Sequence, residues 1–234
     1  MQPKGGWDRN ILAFDTSLPH VSAAVYRDDW TLAEQTEAME RGQAERLIPL
    51  IEGLLAQVDG RWADLDALAV GIGPGNFTGV RISVAAARGL ALGLGIPAVG
   101  VSLFEALLDW DQLLNAPALI LSLEAPRGQA YVQHFRYGKP QSPPRLIDPE
   151  APPADIELPI NMNVRGYMAK AIAKPFGVHW EDAMPTRVAA RLARIADLRL
   201  HEPDFDPSMR PAPLYVRGPD AAPPRDPAPI ILPG

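Results

Sequence analysis

The spacing of apolar residues in the first sixty positions predicts three strands and a helix. Two short apolar runs, Asn10–Asp15 and Val21–Tyr26, are separated by the polar turn TSLPH, and together with Thr31–Glu37 they predict an antiparallel meander. From Gln43 to Val58 the apolar residues recur at helical spacing, which predicts an amphipathic helix with a broad apolar face. Pro49 lies close enough to the start of this helix to be tolerated with a bend.

The next forty residues alternate between strand and helix patterns. Leu65–Gly73 is apolar nearly throughout, which is typical of a strand covered on both faces. A glycine-rich turn follows it, then a predicted helix over Phe77–Leu94 and a short strand, PAVGV. The order strand-strand-strand-helix-strand-helix-strand predicts a mixed sheet with helices packed on it.

A second and thinner round of elements begins near Pro117. PALILSLEA and QAYVQHFRY predict paired strands, LPINMNV predicts a further strand, and MPTRVAARLARIADLRL predicts an arginine-bearing helix. From Pro203 onward ten of 32 residues are proline, which excludes a helix or a central strand there. Within that stretch the apolar island Ala212–Gly218 is expected to dock on the domain. We therefore expect an α/β subdomain over 8–108, a reduced one over 109–218 and a proline-rich tail over 219–234.

Composition narrows the functional classes. The chain has 234 residues, 47% of them hydrophobic, which is enough to bury a core, and its net charge of −6 does not favour autonomous binding of nucleic acid. Cysteine is absent, which excludes disulfides, thiolate metal sites and a cysteine nucleophile and fits a reducing compartment. The first ten residues lack the apolar core of a signal peptide, and no run has the length of a membrane span. A cytoplasmic protein without membrane contact is the expectation.

The glycine-rich turn GPGNFTG allows two interpretations. Its glycines would let backbone amides approach an anion at a helix N-terminus, and hydroxyl and carboxyl groups follow the first strand. However, the turn lacks the lysine of a Walker loop and the spacing of a dinucleotide motif, and Asn76 or Thr78 would serve equally well as a helix cap. A structural role is favoured, with a vestigial phosphate or nucleotide site as the alternative; that site would comprise Asp15, Thr16, Ser17, Gly73, Gly75 and Thr78.

Three segments together resemble one protein family. ILAFDTS near the start, GIGPGNFTGVRISVAAARGLALGLGIPAVGVS in the middle and PLYVRGPDA near the end closely resemble the TsaB (YeaZ) family, over Ile11 to Asp220. The resemblance implies an actin-like, sugar-kinase-like (ASKHA) α/β fold of two related mixed-sheet halves, the second reduced. It also implies a supporting role in making N6-threonylcarbamoyladenosine in tRNA.

In that pathway the paralogue TsaD transfers the threonylcarbamoyl group, TsaB binds TsaD, and the ATPase TsaE joins them. The resemblance therefore implies a TsaD-like paralogue and a TsaE-like ATPase as partners, a homodimer as an alternative, and tRNA contact only through the complex. It also implies that the helix pair 47–58 and 80–94 meets the partner, since the two helices carry more apolar surface than one seam needs. The residues predicted to form this interface are Leu47, Leu50, Ile51, Leu54, Val80, Ser83, Val84 and Ala87.

No catalytic constellation is expected. TsaD carries two metal-binding histidines four residues apart, and the matching positions here are Leu103 and Leu107, so we expect neither a metal nor a cofactor. The glycine-rich adenosine turn expected in the second half falls on INMNVRGYMAKA, which has only Gly166. The chain also lacks the HExxH and G-x-S-x-G motifs of hydrolases. A non-catalytic subunit is thus the leading interpretation, with a weak ATPase or kinase-like enzyme and a structural homodimer as alternatives.

Overall fold

The first half of the molecule is a five-stranded mixed sheet. The computed structural model describes residues 9–108, 118–154 and 163–216. The strand order is β3-β2-β1-β4-β5; β2 is antiparallel to β1 and β3, whereas β1, β4 and β5 run parallel to one another. The predicted order of elements is confirmed, with strands at Ile11–Asp15 (β1), His20–Arg27 (β2), Trp30–Ala38 (β3), Ala67–Gly71 (β4) and Ala98–Val101 (β5).

Two helices cover one face of this sheet. Helix α1 spans Gln43–Gln57 and helix α2 spans Phe77–Leu94, within one residue of the predicted bounds. Successive side chains of a strand point to opposite faces, so Leu12 and Phe14 pack beneath these helices while Ile11 and Ala13 face the other side of the sheet. Helix α2 ends at Gly95, whose φ of 67° is the left-handed conformation common after helices.

The second half repeats the strand arrangement of the first. Its sheet has the order β11-β10-β6-β7-β8, with β6, β10 and β11 parallel and β7 antiparallel to β6, and β9 pairs with β7. Its strands are Leu119–Glu124 (β6), Ala130–Arg136 (β7), Lys139–Pro140 (β8), Arg145–Ile147 (β9), Asn163–Gly166 (β10) and His179–Asp182 (β11). This half is reduced in its helices. The described helix between β10 and β11, α4 (Ala169–Ala173), has five residues, whereas α2, between β4 and β5, has 18.

The arginine-bearing helix returns to the first sheet. Helix α5 (Val188–Leu200) packs on β1, β2, β4 and β5, on the face opposite α1 and α2. A short helix, α3 (Leu103–Ala106), lies between α5 and β6, and Phe104 packs against Phe135 of the second sheet with ring centroids 6.2 Å apart. A continuous core therefore links the two sheets. The predicted boundaries 8–108, 109–218 and 219–234 remain a prediction.

The apolar island near the C-terminus docks on the first sheet, as predicted, over its described residues. The Leu214 amide donates to the Ile72 carbonyl at 2.8 Å, and Leu214 and Val216 pack against the core between the sheets. Most of the predicted strand LPINMNV and the tail 219–234 lie outside the described residues.

The anchoring of α5 gives a testable difference between two arginines. Arg199 donates to the Gly100 carbonyl at 2.5 Å and to the buried Glu105 carboxylate, so Arg199→Ala leaves both acceptors without this donor and is expected to lower the free energy of unfolding by about 1–3 kcal/mol. Arg187→Ala is the matched control, since the side chain of Arg187 is 67% exposed and its ion pair with Glu34 contributes at most about 1 kcal/mol. Urea denaturation followed by circular dichroism measures both, and equal losses would contradict the proposed anchor.

Candidate functional site: the glycine loop and the helix pair

The turn after β1 is closed by its own side chains. Asp15, Thr16 and Ser17 are fully buried. The Asp15 carboxylate accepts hydrogen bonds from the Ser17 amide at 3.0 Å and the Ser17 hydroxyl at 2.7 Å, and His20 Nε2 lies 3.0 Å from it. The Thr16 hydroxyl donates to the Gly79 carbonyl at 2.6 Å. The three polar groups predicted to face a phosphate are therefore engaged inside the chain.

The glycine loop is shaped to accept this turn. A Cβ added at Gly75 would lie 2.3 Å from the Ser17 carbonyl oxygen, and one at Gly79 would lie 1.9 Å from the Thr16 carbonyl oxygen. The Asn76 amide also donates to the Ser17 carbonyl at 2.7 Å. The glycines at these two positions thus let two backbone segments pack in direct contact. This contact supports the structural role of the glycine-rich turn over the phosphate site.

The start of α2 is capped from within the chain. The Asn76 side-chain oxygen accepts from the amides of Thr78, at 2.9 Å, and Gly79, at 3.2 Å. Asn76 is therefore the cap, and two amides that an anion would use at this terminus already have an acceptor. The six residues of the predicted phosphate site do lie in this turn, loop and helix start, but their contacts favour a structural role, and anion binding there remains a prediction.

The eight residues predicted to contact a partner are buried in the chain itself. Leu47, Leu50, Ile51, Leu54, Val80, Ser83, Val84 and Ala87 are each at most 3% exposed. They form the inner faces of α1 and α2, and the Ser83 hydroxyl donates to the Gly71 carbonyl of β4 at 3.1 Å. The larger apolar side chains of both helices face the sheet, so burial within the chain does not favour these eight residues as a partner surface, and their role there remains a prediction. A charge at Ser83 or Ala87 would therefore disturb the fold, not only an interface.

The outer faces of the helix pair carry small residues. At Gly53 of α1 and at Gly89 and Gly93 of α2, no atom beyond the neighbouring turns of the same helix lies within 4 Å of the position that a Cβ would occupy, and Ala56 and Ala85 are also exposed. Leu92 is 78% exposed among them. Over α2 the mean hydropathy is 1.3 and 28% of the residues are buried, so α2 meets the length and composition of a membrane span, although one face packs on a sheet. The exposed side of α2 thus carries small residues and Leu92 beside Arg88.

The positions matched to metal-binding histidines belong to the core. Leu103 and Leu107 are at most 1% exposed and pack between the two sheets. Between them Glu105 accepts hydrogen bonds from Ser102 and Arg199. In the second half Gly166 abuts Ser122, whose carbonyl oxygen lies 1.9 Å from where a Cβ would be. Across the described ranges no group of three or more histidine, aspartate or glutamate side chains is arranged to hold a metal ion.

A cleft of about 1090 Å³ lies between the two halves beside the glycine loop. Arg81 of α2 lines this cleft. Its guanidinium lies 3.7 Å from the Phe77 ring centroid, and its Nε donates to the Tyr215 hydroxyl at 2.8 Å. Arg41 and Arg127 line it from other segments. These lining residues could not be identified from the sequence, because they come from segments far apart in the chain and share no motif.

The chain is similar to proteins that are named for tRNA threonylcarbamoyladenosine biosynthesis. A family model described as TsaD, tRNA N6-adenosine threonylcarbamoyltransferase, matches residues 32–143. The tRNA threonylcarbamoyladenosine biosynthesis protein TsaB of Escherichia coli is 35% identical over 127 residues, which is 54% of each chain. TsaB of Bacillus subtilis is 35% identical over 131 residues, 54% of this chain and 55% of that one. The matched segment spans about half the length of these curated relatives.

Solved structures agree with the architecture. YeaZ from Pseudomonas aeruginosa superposes with a TM-score of 0.69 at 23% identity, over 88% of this chain and 99% of that one. A likeness at this identity shows the fold alone. The predicted α/β fold of two mixed sheets is thereby confirmed, and it is the fold of YeaZ.

Two glycines of α2 should respond oppositely to alanine. Gly79→Ala forces a methyl group against the Thr16 backbone and is expected to cost about 2 kcal/mol or more, lowering the Tm by at least about 4 °C. Gly89→Ala enters open space and is expected to add up to about 1 kcal/mol through helix propensity, raising the Tm by about 2–4 °C. Differential scanning calorimetry measures both, and a Gly79→Ala protein as stable as Gly89→Ala would refute the close contact.

Proposed function

We propose that this chain, which belongs to the TsaB (YeaZ) family, is a non-catalytic subunit of the assembly that makes N6-threonylcarbamoyladenosine in tRNA. In this proposal it binds and supports a TsaD-like transferase together with a TsaE-like ATPase, and it meets tRNA only through the complex. The names of its relatives, TsaB in two bacteria, support the pathway, and the family model that matches its residues 32–143 describes the transferase itself.

The observation that carries the partner role is the outer face of α1 and α2. A glycine inside a helix costs about 1 kcal/mol relative to alanine, and Gly53, Gly89 and Gly93 incur this cost without any neighbour in the chain that needs the space. Small residues let the backbone of another helix approach closely, and the uncovered Leu92 supplies apolar surface beside them. A helical partner packed on this face accounts for both features.

The contacts around Asp15 support a role without catalysis. An acid that binds a metal-nucleotide must present its oxygens to a cavity, whereas Asp15 is fully buried and both of its oxygens have partners in the same turn. The threonine and serine beside it are equally enclosed. These contacts favour the subunit over a weak ATPase or kinase-like enzyme.

Gly89→Arg tests the partner face without disturbing the fold. Arginine has a higher helix propensity than glycine and enters open space here, so the isolated variant should unfold at the same temperature as the wild type or higher. On the face of a tight helix contact the same side chain should weaken binding of the TsaD-like paralogue at least about thirtyfold, the effect of losing one interface hot spot. Calorimetry and co-elution with the paralogue measure the two effects separately.

Met209→Arg is the matched control, because Met209 is 71% exposed and lies far along the chain from the helix pair. It should leave binding unchanged. Full binding by Gly89→Arg and Leu92→Arg proteins would overturn the proposed face. Size-exclusion chromatography of the isolated protein tests the homodimer alternative. If the chain forms a homodimer through this face, Gly89→Arg and Leu92→Arg would each shift its elution volume in the absence of the paralogue. Steady turnover of ATP by the isolated chain would instead favour the enzyme.

A further inference from the structure

The cleft beside the glycine loop carries two exposed aromatic rings. Phe77 is 40% exposed and Tyr215 is 46% exposed, and their ring centroids lie 5.3 Å apart. Arg81 contacts both residues, since its guanidinium lies over the Phe77 ring and its Nε donates to the Tyr215 hydroxyl. Because the fold holds both rings side by side, they form a preorganised apolar surface on the wall of the cleft.

Apolar side chains continue this surface across the cleft. The aliphatic residues and prolines that line it are Leu18, Leu146, Val216, Pro19, Pro74 and Pro126. Grooves lined by aromatic residues bind proline-rich segments, because a polyproline II helix is already extended and loses little conformational entropy on binding. The cleft therefore has the chemistry of a groove that binds a proline-rich segment.

A proline-rich run follows this cleft directly in the sequence. The described chain reaches Val216, which lines the cleft, and the 18 residues 217–234 follow it. The run PPRDPAP occupies 223–229. Fully extended residues span about 3.3–3.6 Å each, so the intervening residues 217–222 cover at most about 22 Å. The run is thus tethered close to the cleft, and a short flexible linker gives an effective concentration on the order of millimolar.

The cleft also carries charges of both signs that are not paired. Glu40 and Arg41 line it between β3 and α1, and Glu124 and Arg127 line it at the end of β6 and in the turn that follows. The side chains of these four residues make no hydrogen bond or ion pair in the described part of the chain. The proline-rich run likewise has one charge of each sign, in its central Arg-Asp pair. The wall and the run are therefore complementary in charge, whereas an anion alone would meet two carboxylates.

We propose that residues 223–229 bind in this cleft of the same chain. The prolines pack on the rings of Phe77 and Tyr215, and Arg225 and Asp226 face the charged side chains of the wall. The bound run fills the space beside the glycine loop, so that the chain's own sequence closes the cleft to soluble ligands. The proposal does not depend on the role in tRNA modification.

The absence of cysteine allows a single spin label to be placed on the run. Ala228→Cys introduces the only thiol of the full chain, and a nitroxide attached to it broadens the nuclear magnetic resonance signals of nearby amides. We expect the amide of Gln129, which lines the cleft, to lose at least about half of its intensity, since a millimolar effective concentration keeps even a millimolar contact formed for about half of the time. The amide of Gly60, which does not line the cleft, should keep its intensity. An unchanged Gln129 signal would overturn the proposal.

A mixed sample separates binding within one chain from binding to a second copy. Isotope-labelled chains without the nitroxide are mixed with spin-labelled chains that carry no isotope. Binding within one chain predicts no loss of intensity at Gln129 in this mixture. Equal broadening in the mixture and in the singly prepared protein would show that the run binds a second copy, which contradicts the proposal.

Substitutions on each side of the contact complete the test. Pro224→Gly together with Pro227→Gly should reduce the broadening at Gln129 at least about threefold, because glycine removes both the rings and the polyproline II preference. Pro219→Gly, outside the run, is the matched control and should leave the broadening unchanged. Phe77→Ala should act as the double variant does, and its control is Tyr137→Ala, at a side chain that is 53% exposed and does not line the cleft. Full broadening in the double variant or in Phe77→Ala would refute the proposed contact.

Discussion

The first half of the molecule depends on one backbone contact, between the turn after β1 and the start of α2. The carbonyl oxygens of Thr16 and Ser17 occupy the space that side chains at Gly79 and Gly75 would fill. The backbone N–H of Asn76 donates a hydrogen bond to the Ser17 carbonyl. Buried carbonyl groups need such donors, because leaving one without a partner costs about 1–3 kcal/mol. The position of α2 on the sheet therefore follows from which residues in the glycine loop lack a Cβ.

This contact determines which faces of the helix pair are available. With Gly79 against the turn, Val80, Ser83, Val84 and Ala87 must face the sheet, and Gly89, Leu92 and Gly93 must face away from it. The same contact encloses Asp15, Thr16 and Ser17. One packing arrangement thus engages the polar side chains of the turn inside the chain and leaves Gly89, Leu92 and Gly93 exposed on α2, which links the structural role of the loop to the proposed partner role.

The spacing of apolar residues along the chain predicted the helices and strands well. It did not predict which face of a helix packs on the sheet and which face is exposed. Period-two and helical spacings predicted the order of elements along the first half of the chain and the bounds of α1 and α2 within one residue. For α2, however, apolar residues occur on every side, so periodicity alone does not distinguish the inner face from the outer one. The predicted interface was built from the larger side chains of the helices, and these side chains lie on the inner face because they fill the core. Whether a glycine is exposed can be seen only in the structure, once its neighbours are known.

The two halves of the molecule are held together at their junction by apolar packing and by arginine side chains. Here α3 lies at the junction, with Phe104 packed on Phe135 of the second sheet, and α5 holds α3 through Arg199 to Glu105 and Arg191 to the Ala106 carbonyl. Separating the halves would expose this continuous apolar core and break charged hydrogen bonds that are partly buried. Such a junction resists domain motion, and a rigid body that presents one apolar helix face suits a subunit whose proposed task is to support another protein.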